Sequence, residues 1–413
     1  MRRRTDRALS VAGLPPLERS AWVEVDIDAL IANASALGSL AEPAALGAVV
    51  KADGYGHGLE VAARCAVAGG AKWLCVADAA EATRLRRDGY EGRIFVLYPV
   101  PSAMLPTMAG LGVDVTVGSI QEARNLAEHL RPGDPILSVH LETDTGMTRG
   151  GVVPADAVAA AAAIVADPSA TLAGVWTHLA APEDATTTGR QLDRFDLVLT
   201  QLAEAGIDPG AIHAAASGEL LSRSVERHAF VRPGLALYGV HPGAGGRLPE
   251  SVVPALAVKA NPVRVVEVPP GTAVGYAGTW TAQRVSTIAT LPIGYVDGWS
   301  RSSSPGTSVL VEGQRAPVVG RVSSDSLTVD VTGIADAGLD SEFTLLGSDG
   351  ADEITADDVA DVRGTISWEV LQQLSARLTR IYTVGGLPVA FRPQSTTTIT
   401  TAPGTLLPSY GGS

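Results

Sequence analysis

Between residues 20 and 250 the sequence alternates short β-branched runs with Ala- and Leu-rich amphipathic stretches. Eight of the short runs have the length of a strand: LGAVVK (46–51), KWLCVA (72–77), RIFVLY (93–98), VDVTV (113–117), ILSVHLE (136–142), LAGVWTHL (172–179), AIHAAA (211–216) and FVRPGLALYG (230–239). Eight strand–helix units fit a (β/α)8 barrel better than an open sheet. Periodicity alone leaves a doubly wound α/β sheet as the alternative.

After about residue 250 the pattern changes to short alternating runs separated by Gly, Pro, Asp and Ser, such as VRVVEV, VSTIATLPI and LTVDVT. This pattern is typical of a mainly-β domain. One helix is expected near TISWEVLQQLSARL. We therefore expect four segments: an N-terminal tail (1–19), a barrel (20–250), a mainly-β domain (251–405) and a C-terminal tail (406–413).

Composition excludes several classes of protein. Of 413 residues, 46% are hydrophobic and 18% charged, and the net charge is −13, which argues against a general nucleic-acid binder. Cys65 and Cys75 are too few for a disulfide framework or a Cys-rich zinc site, and we expect no metal. No apolar run reaches membrane-spanning length, and the basic N-terminus lacks the apolar segment of a secretory signal. We expect a cytoplasmic enzyme with a small-molecule substrate.

Lysine is rare in this chain, with 28 Arg against Lys51, Lys72 and Lys259. A retained Lys is a candidate for chemistry that a guanidinium cannot perform, such as forming a covalent imine. Lys51 ends the first barrel-like strand and opens KADGYGHG, where barrel enzymes place catalytic residues. From spacing alone, an ordinary strand-to-helix turn with an exposed Lys is as good an interpretation.

The segment VVKADGYGHG resembles the lysine motif of the alanine racemases, which depend on pyridoxal 5′-phosphate (PLP) and have fold type III. Further blocks follow in family order: WVEVDIDALIAN (22–33), TDTGMTRGG (143–151), THLA (177–180), VRPGLALYG (231–239), VGYAGTW (274–280), LPIGYVDGW (291–299), PVVGRVSSD (317–325) and GTISWEV (364–370). The resemblance implies an N-terminal barrel, a C-terminal β domain, and interconversion of L- and D-alanine.

The resemblance also implies a two-base mechanism. Lys51 would bind PLP covalently and then exchange the substrate's α-proton on one face. Tyr276 of the partner subunit would act on the opposite face, because racemisation needs one base to remove the proton and another to return it. The active sites would then be shared within a homodimer. His178 resembles the family's His that hydrogen-bonds this Tyr.

The remaining cofactor contacts are likewise implied by the resemblance. Tyr55 and Ser217 match side chains that bind the phosphate, and the backbone N–H groups around Gly234 and Leu235 would add donors. Arg232 matches the residue that faces the pyridine nitrogen. Because it does not give up its proton, it would leave that nitrogen neutral, which favours racemisation over aminotransfer.

Three further residues are matched to the substrate side. Arg149 resembles the residue that contacts the cofactor's phenolic oxygen near the substrate carboxylate. Asp325 falls in the family's substrate-binding turn, and Tyr295 matches an aromatic residue at the entrance.

Four positions depart from the family pattern. Glu142 stands where the family usually has a carbamylated Lys, and we expect a permanent charge there, with its pKa lowered further by Arg149. Trp368 replaces a Tyr that reaches the cofactor phosphate, and we expect it to contact the cofactor. Ser324 replaces a Met in the substrate turn, and we expect it to contact the substrate. Ala216 replaces the Asn before Ser217.

These departures keep alternatives open. One is a racemase-like paralogue with another substrate or reaction, since the departures cluster near substrate and phosphate. Another is a non-catalytic PLP-binding barrel protein, which would resemble only the N-terminal half. A decarboxylase of related fold would be expected to use a Cys in the β domain, and both cysteines precede residue 76.

Overall fold

The structure is a computed structural model that describes residues 4–130, 133–222, 228–243 and 245–411. Its described residues fall into two units. One, the barrel unit, comprises Leu30–Gly54, Leu59–Val253 and Pro408–Ser413. The other, the β unit, comprises Met1–Ala29, Tyr55–Gly58 and Pro254–Leu407.

The strands are named in chain order. They are β1 (Ala21–Asp26), β2 (Ala45–Val49), β3 (Trp73–Val76), β4 (Arg93–Pro99), β5 (Asp114–Val117), β6 (Leu137–Glu142), β7 (Ala170–Trp176), β8 (Ala211–His213), β9 (Phe230–Val231), β10 (Leu256–Ala260), β11 (Arg264–Val268), β12 (Ala273–Val274), β13 (Trp280–Thr281), β14 (Ser286–Leu291), β15 (Ser308–Val311), β16 (Gln314–Val319), β17 (Leu327–Asp330), β18 (Phe343–Asp349), β19 (Asp352–Ile354), β20 (Thr379–Val384), β21 (Leu387–Arg392) and β22 (Thr400–Thr401).

The helices are named in the same way. They are α1 (Arg4–Val11), α2 (Ile27–Ala41), α3 (Lys51–Tyr55), α4 (Leu59–Ala68), α5 (Ala79–Arg87), α6 (Leu105–Gly110), α7 (Ile120–Arg124), α8 (Leu126–His129), α9 (Ala157–Ala166), α10 (Ala185–Glu204), α11 (Ser217–Ser222), α12 (Ala356–Arg363) and α13 (Ser367–Gln372). Within the described ranges, no helix combines the length and apolar character needed to cross a membrane.

The barrel unit contains a parallel sheet of eight strands in the order β8-β7-β6-β5-β4-β3-β2-β9. The sheet closes on itself, because Ala229 N donates to Ile212 O and Arg232 N donates to Ala215 O. All four residues of β3 and of β5 are buried, as expected for strands covered on both faces. The predicted (β/α)8 barrel is confirmed.

The β unit contains a second sheet in the order β11-β14-β17-β16-β15-β18-β10-β1-β20-β21-β22, with β19 paired to β18. Its pairs are antiparallel except β1 with β20, which run parallel. The predicted mainly-β domain is confirmed. It contains α12 as well as α13, and only the latter falls within the expected helical stretch.

The structure differs from the expected boundaries at the N-terminus. Strand β1, expected to belong to the barrel, pairs instead with β10 and β20 in the β unit. Residues 4–11, within the expected tail, form α1, whose Leu9 is fully buried in a cluster with Trp22 and Phe391. The physical reason is that both segments carry apolar side chains that the β unit's sheet buries.

The expected C-terminal tail is also partly ordered. Tyr410 donates from its hydroxyl to Asp88 Oδ2 at 2.7 Å, and the Arg64 guanidinium carbon lies 4.7 Å from the centre of its ring. Arg64 also binds Asp88 through two nitrogens. Residue 410 is therefore held by the barrel unit.

Candidate active site

Lys51 directly precedes a left-handed turn at the carboxyl end of β2. The φ angles of Ala52, Asp53 and Gly54 are 54°, 55° and 61°. A non-glycine residue in this conformation costs about 1–2 kcal/mol. Two successive non-glycine residues adopt it here, so other contacts must hold the turn that presents Lys51.

The Lys51 amine lies next to an aromatic ring and a second cation. Its Nζ is 5.7 Å from the centre of the Tyr98 ring, and the Arg149 guanidinium carbon is 5.4 Å from the same centre. Burial, and next the positive charge of Arg149, lower the pKa of Lys51. A larger fraction of this amine is therefore neutral near pH 7 than for a free Lys.

Arg232 lies inside the barrel and is held by several acceptors. Its NH1 donates to His213 Nδ1 at 2.6 Å, and its NH2 donates to the carbonyl oxygens of Thr177 and Ala214 at 2.9 and 3.0 Å. Burial lowers the pKa of Arg232 to about 10, so the side chain remains cationic at neutral pH.

A chain of buried, hydrogen-bonded side chains continues from Arg232. The direction of each hydrogen bond follows from the fact that a guanidinium can only donate. Because Arg232 can only donate, His213 Nδ1 accepts, and the ring proton lies on Nε2. That Nε2 is 2.9 Å from His140 Nδ1, and His140 Nε2 is 3.4 Å from Asp114 Oδ2. Burial lowers the pKa of both imidazoles, so each is neutral and donates toward Asp114.

His178 is surrounded by positive charge. Burial, and then the charges of Arg232, Arg149 and Lys51, lower its pKa to about 3. The imidazole is therefore neutral at physiological pH and can accept a hydrogen bond through one ring nitrogen.

Ser217 and the loop after β9 bring backbone donors together. Ser217 Oγ accepts from Gly234 N at 3.0 Å and from Ala236 N at 3.4 Å. All these groups are buried, and Leu235 begins a 3₁₀ turn over Leu235–Tyr238. Backbone amides that converge on one point are suited to bind the oxygens of a phosphate.

Glu142 does not have the expected electrostatics. It ends β6, is only 5% exposed, and burial raises its pKa to about 7. The opposing effect of Arg149 is smaller, and the two side chains form no ion pair among the described residues. The expectation of a permanently charged carboxylate is therefore wrong. The Glu142 carboxyl therefore titrates nearer to neutral pH than a free Glu does.

In the β unit, three of the predicted site residues are exposed. Tyr276 follows Gly275 between the paired strands β12 and β13, and is 66% exposed. Tyr295 is 44% exposed, and its hydroxyl accepts from Ser324 Oγ at 2.6 Å. Asp325 pairs with Arg377 at 2.9 Å.

The other two predicted cofactor contacts also lie in the β unit. Tyr55 is buried, and its carbonyl oxygen lies 3.1 Å from His57 Nδ1. Trp368 is half-buried in the first turn of α13.

The two halves of the sequence match two family models. Residues 25–242 match the N-terminal domain of alanine racemase, and residues 255–382 match its C-terminal domain. The chain belongs to the alanine racemase family. A curated alanine racemase of Thermobifida fusca is 37% identical over 369 residues, covering 88% of this chain and 98% of the relative. One of Symbiobacterium thermophilum is 38% identical over 368 residues, covering 88% and 97%.

Solved structures agree with this membership of the alanine racemase family. The alanine racemase of Bacillus anthracis with bound L-Ala-P is 33% identical, with a TM-score of 0.87, and covers 92% of this chain and 99% of its own. The enzyme of D-cycloserine-producing Streptomyces lavendulae, also 33% identical, has a TM-score of 0.81 and covers 89% and 98%. Family membership over both units identifies the chain as an isomerase with alanine racemase function.

Several residues near the matched alanine racemase motifs were not predicted to contribute. The Tyr98 ring lies near both Lys51 and Arg149, and its place at the end of the run RIFVLY was a usable signal. His140 is fully buried within β6 and His213 is fully buried at the end of β8, and buried imidazoles need polar partners. The link between them depends on three-dimensional pairing.

Proposed function

We propose that the chain interconverts L- and D-alanine with PLP, using Lys51 and, from the opposite face, Tyr276 of the partner subunit. The observation that carries this proposal is the set of groups in the barrel unit. It contains a half-buried amine at Lys51, a buried guanidinium at Arg232, and amides converging at Ser217. These groups suit, in the same order, the aldehyde, the pyridine nitrogen and the phosphate of PLP.

The residues of the barrel unit fit PLP chemically. Lys51 would form the covalent link, and Ser217 with the amides of Gly234 and Leu235 would hold the phosphate. Tyr55 and Trp368, which lie in the β unit, are proposed as cofactor contacts from the resemblance alone. Arg232 remains cationic with a pKa of about 10, so it would donate a hydrogen bond to the ring nitrogen and keep its proton. When bound, PLP withdraws electrons from the substrate's Cα and makes the α-proton removable.

Two side chains would move that proton. The lowered pKa of Lys51 lets its Nζ accept and return a proton near neutral pH. Tyr276 of the partner subunit would do the same at its hydroxyl oxygen on the other face. The exposure of Tyr276 within its own chain, 66%, supports a role in a site that another subunit completes. His178, neutral and able to accept a hydrogen bond, suits the role of partner to that hydroxyl.

Substrate recognition would use groups of both charge types. Arg149 would face the amino acid's carboxylate, and Asp325 would contribute from the substrate turn. The Ser324–Tyr295 hydrogen bond would fix the entrance side chain. We propose further that the chain acts as a homodimer in the cytoplasm, binding neither nucleic acid nor membrane, and its net charge of −13 supports the absence of nucleic-acid binding.

The proposal is tested by fixing the cofactor and measuring the product. Borohydride reduction of the purified holoenzyme, followed by peptide mass spectrometry, should place the PLP mass on Lys51. A label on Lys72 or Lys259 would contradict the cofactor assignment. Chiral chromatography after incubation with a panel of L-amino acids should show D-alanine as the main product. Faster racemisation of another amino acid would favour the paralogue with altered substrate.

A further inference from the structure

Three glutamates occupy comparable places after barrel strands. Glu81, Glu122 and Glu219 each accept a hydrogen bond, at 2.8 Å, from a backbone N–H three or four residues earlier. Glu81 and Glu122 match most closely. Each follows a helix N-cap, Asp78 or Ser119, whose side chain accepts from the glutamate's own N–H.

Unlike its counterpart, Glu81 also contacts the turn after Lys51, through backbone hydrogen bonds from Ala52 and Asp53. Its Oε2 accepts from Ala77 N, as Glu122 Oε2 accepts from Gly118 N, but its Oε1 also accepts from Ala52 N at 2.6 Å. Ala52 is 29 residues earlier in the chain and directly follows Lys51. Among the described residues, Glu122 has no corresponding second bond.

Ala52 is also the first residue of the left-handed turn. Non-glycine residues rarely adopt this conformation in succession, so the turn depends on external contacts. A carboxylate has two acceptor oxygens and can bind two N–H groups from different segments at once. Glu81 is half-buried, which strengthens such charge-assisted hydrogen bonds.

We infer that Glu81 is a positioning residue for Lys51. Its carboxylate joins Ala77 N to Ala52 N and thereby holds the left-handed turn that presents the Lys51 amine. The expected effect of Glu81 on turnover rests on the proposed function. Its effect on the conformation of the turn is independent of that function.

The matched pair Glu81→Gln and Glu122→Gln tests this inference in the full-length holoenzyme. An amide has one acceptor oxygen, and its NH2 group would face an N–H donor, so glutamine at position 81 can keep only one of the two bonds. Glutamine at position 122 can keep its single bond through the oxygen. Glu81→Gln should therefore release the turn, and Glu122→Gln should leave it unchanged.

The first readout is amide hydrogen exchange in the peptide that contains residues 51–54, measured by mass spectrometry. Glu81→Gln should speed exchange there by about tenfold or more, with wild-type rates for Glu122→Gln. The second readout is racemisation kinetics, in which Glu81→Gln should lower kcat by about 10–100-fold while KM for alanine changes little. Equal exchange and equal kcat in the two variants would overturn the inference.

Replacing Ala52 by glycine provides a rescue that also covers poor folding of Glu81→Gln. Glycine adopts the left-handed conformation without the penalty that Ala52 incurs, so Ala52→Gly in the Glu81→Gln background should recover most of the lost kcat. If the double variant recovers nothing, Glu81 does not act through the turn. If wild-type enzyme carries no PLP on Lys51, the proposed function fails, while the exchange difference at residues 51–54 is still expected.

Discussion

Two candidate site residues of the barrel unit, Lys51 and Arg232, are more buried than two of the β unit, Tyr276 and Tyr295. In the barrel unit, Arg232 is buried and bonded to His213, and Lys51 shares the Tyr98 ring with Arg149. In the β unit, Tyr276 and Tyr295 are exposed to solvent. Contacts within the barrel unit thus hold Lys51 and Arg232, while the β unit exposes Tyr276 and Tyr295. This contrast supports a site that is completed by another subunit.

Burial also sets protonation states in the barrel unit. It is the largest cause of the lowered pKa of Lys51 and of the raised pKa of Glu142, and it lowers the pKa of His178 to about 3. Neighbouring charges only modify these shifts. Desolvation is therefore the main cause of these pKa shifts.

The largest expected effect is loss of the buried amine. Lys51→Ala should lower racemisation by about four orders of magnitude, because both the covalent link and one base are removed. Lys72→Ala, at an exposed position, is the matched control and should retain wild-type turnover in the same chiral assay. Activity of Lys51→Ala within tenfold of wild type would contradict the proposal that Lys51 binds the cofactor and acts as a base.

The next effect concerns the exposed tyrosine. Tyr276→Phe should lower turnover by about 100- to 1,000-fold, because the hydroxyl that would exchange the proton is removed while the ring remains. PLP content, measured by absorbance, should not change. Tyr410→Phe removes a hydroxyl that binds Asp88 and serves as the matched control. Equal kinetics for the two variants would contradict a catalytic role for Tyr276.

An intermediate effect, dependent on pH, is expected at Glu142. With a pKa of about 7, the side chain is charged at pH 8.5 and protonated at pH 6. Glu142→Gln should therefore lower turnover by about 100-fold at pH 8.5, where a charge near Arg149 is lost, and by much less at pH 6. Parallel pH–rate profiles of the two enzymes would show that this charge has no role in turnover.

Glu142 should also make the free energy of unfolding depend on pH. Between pH 4.5 and about 7 the folded state holds a proton that the unfolded state has released, so the wild-type free energy of unfolding should fall as pH rises. The full difference corresponds to about 3 kcal/mol. Glu142→Gln lacks this proton, and its advantage in urea denaturation should grow from pH 5 to pH 8. A constant difference would place the Glu142 pKa outside this window.

The smallest effect should come from the hydrogen bond between Ser324 and Tyr295 in the β unit. Ser324→Ala removes a bond worth about 1 kcal/mol, so KM for alanine should rise about three- to fivefold with little change in kcat. Ser326→Ala in the same turn is the control. A change in kcat alone would argue against a role of Ser324 at the entrance.

Local sequence pattern predicted the two-domain architecture but not the membership of β1. The spacing of the eight strand-like runs predicts the (β/α)8 barrel. The run WVEV reads as a buried strand in either sheet, and only its pairing with β10 and β20 places it in the β unit. Sheet membership is decided by contacts distant in sequence, which local periodicity does not contain.

The site shows the same limit. Lys51 and Arg232 lie in motifs that the sequence displays, whereas the pKa of Glu142 depends on burial that no local pattern reveals. The bond from Ala52 N to Glu81 joins segments 29 residues apart, although Glu81 itself stands at a recognisable capping position. The sequence therefore identifies candidate residues. It does not predict the pKa of Glu142 or the hydrogen bond between Ala52 and Glu81, because both depend on the folded structure.

The central claim is that the barrel of one subunit and Tyr276 of the partner subunit form one site. Mixing inactive Lys51→Ala and inactive Tyr276→Phe under subunit exchange tests it most directly, with exchange verified by native mass spectrometry. A heterodimer would contain one intact site of two, and half of the dimers would be mixed, so activity should return to about a quarter of wild type. Verified exchange with no recovery of racemisation would contradict the shared site.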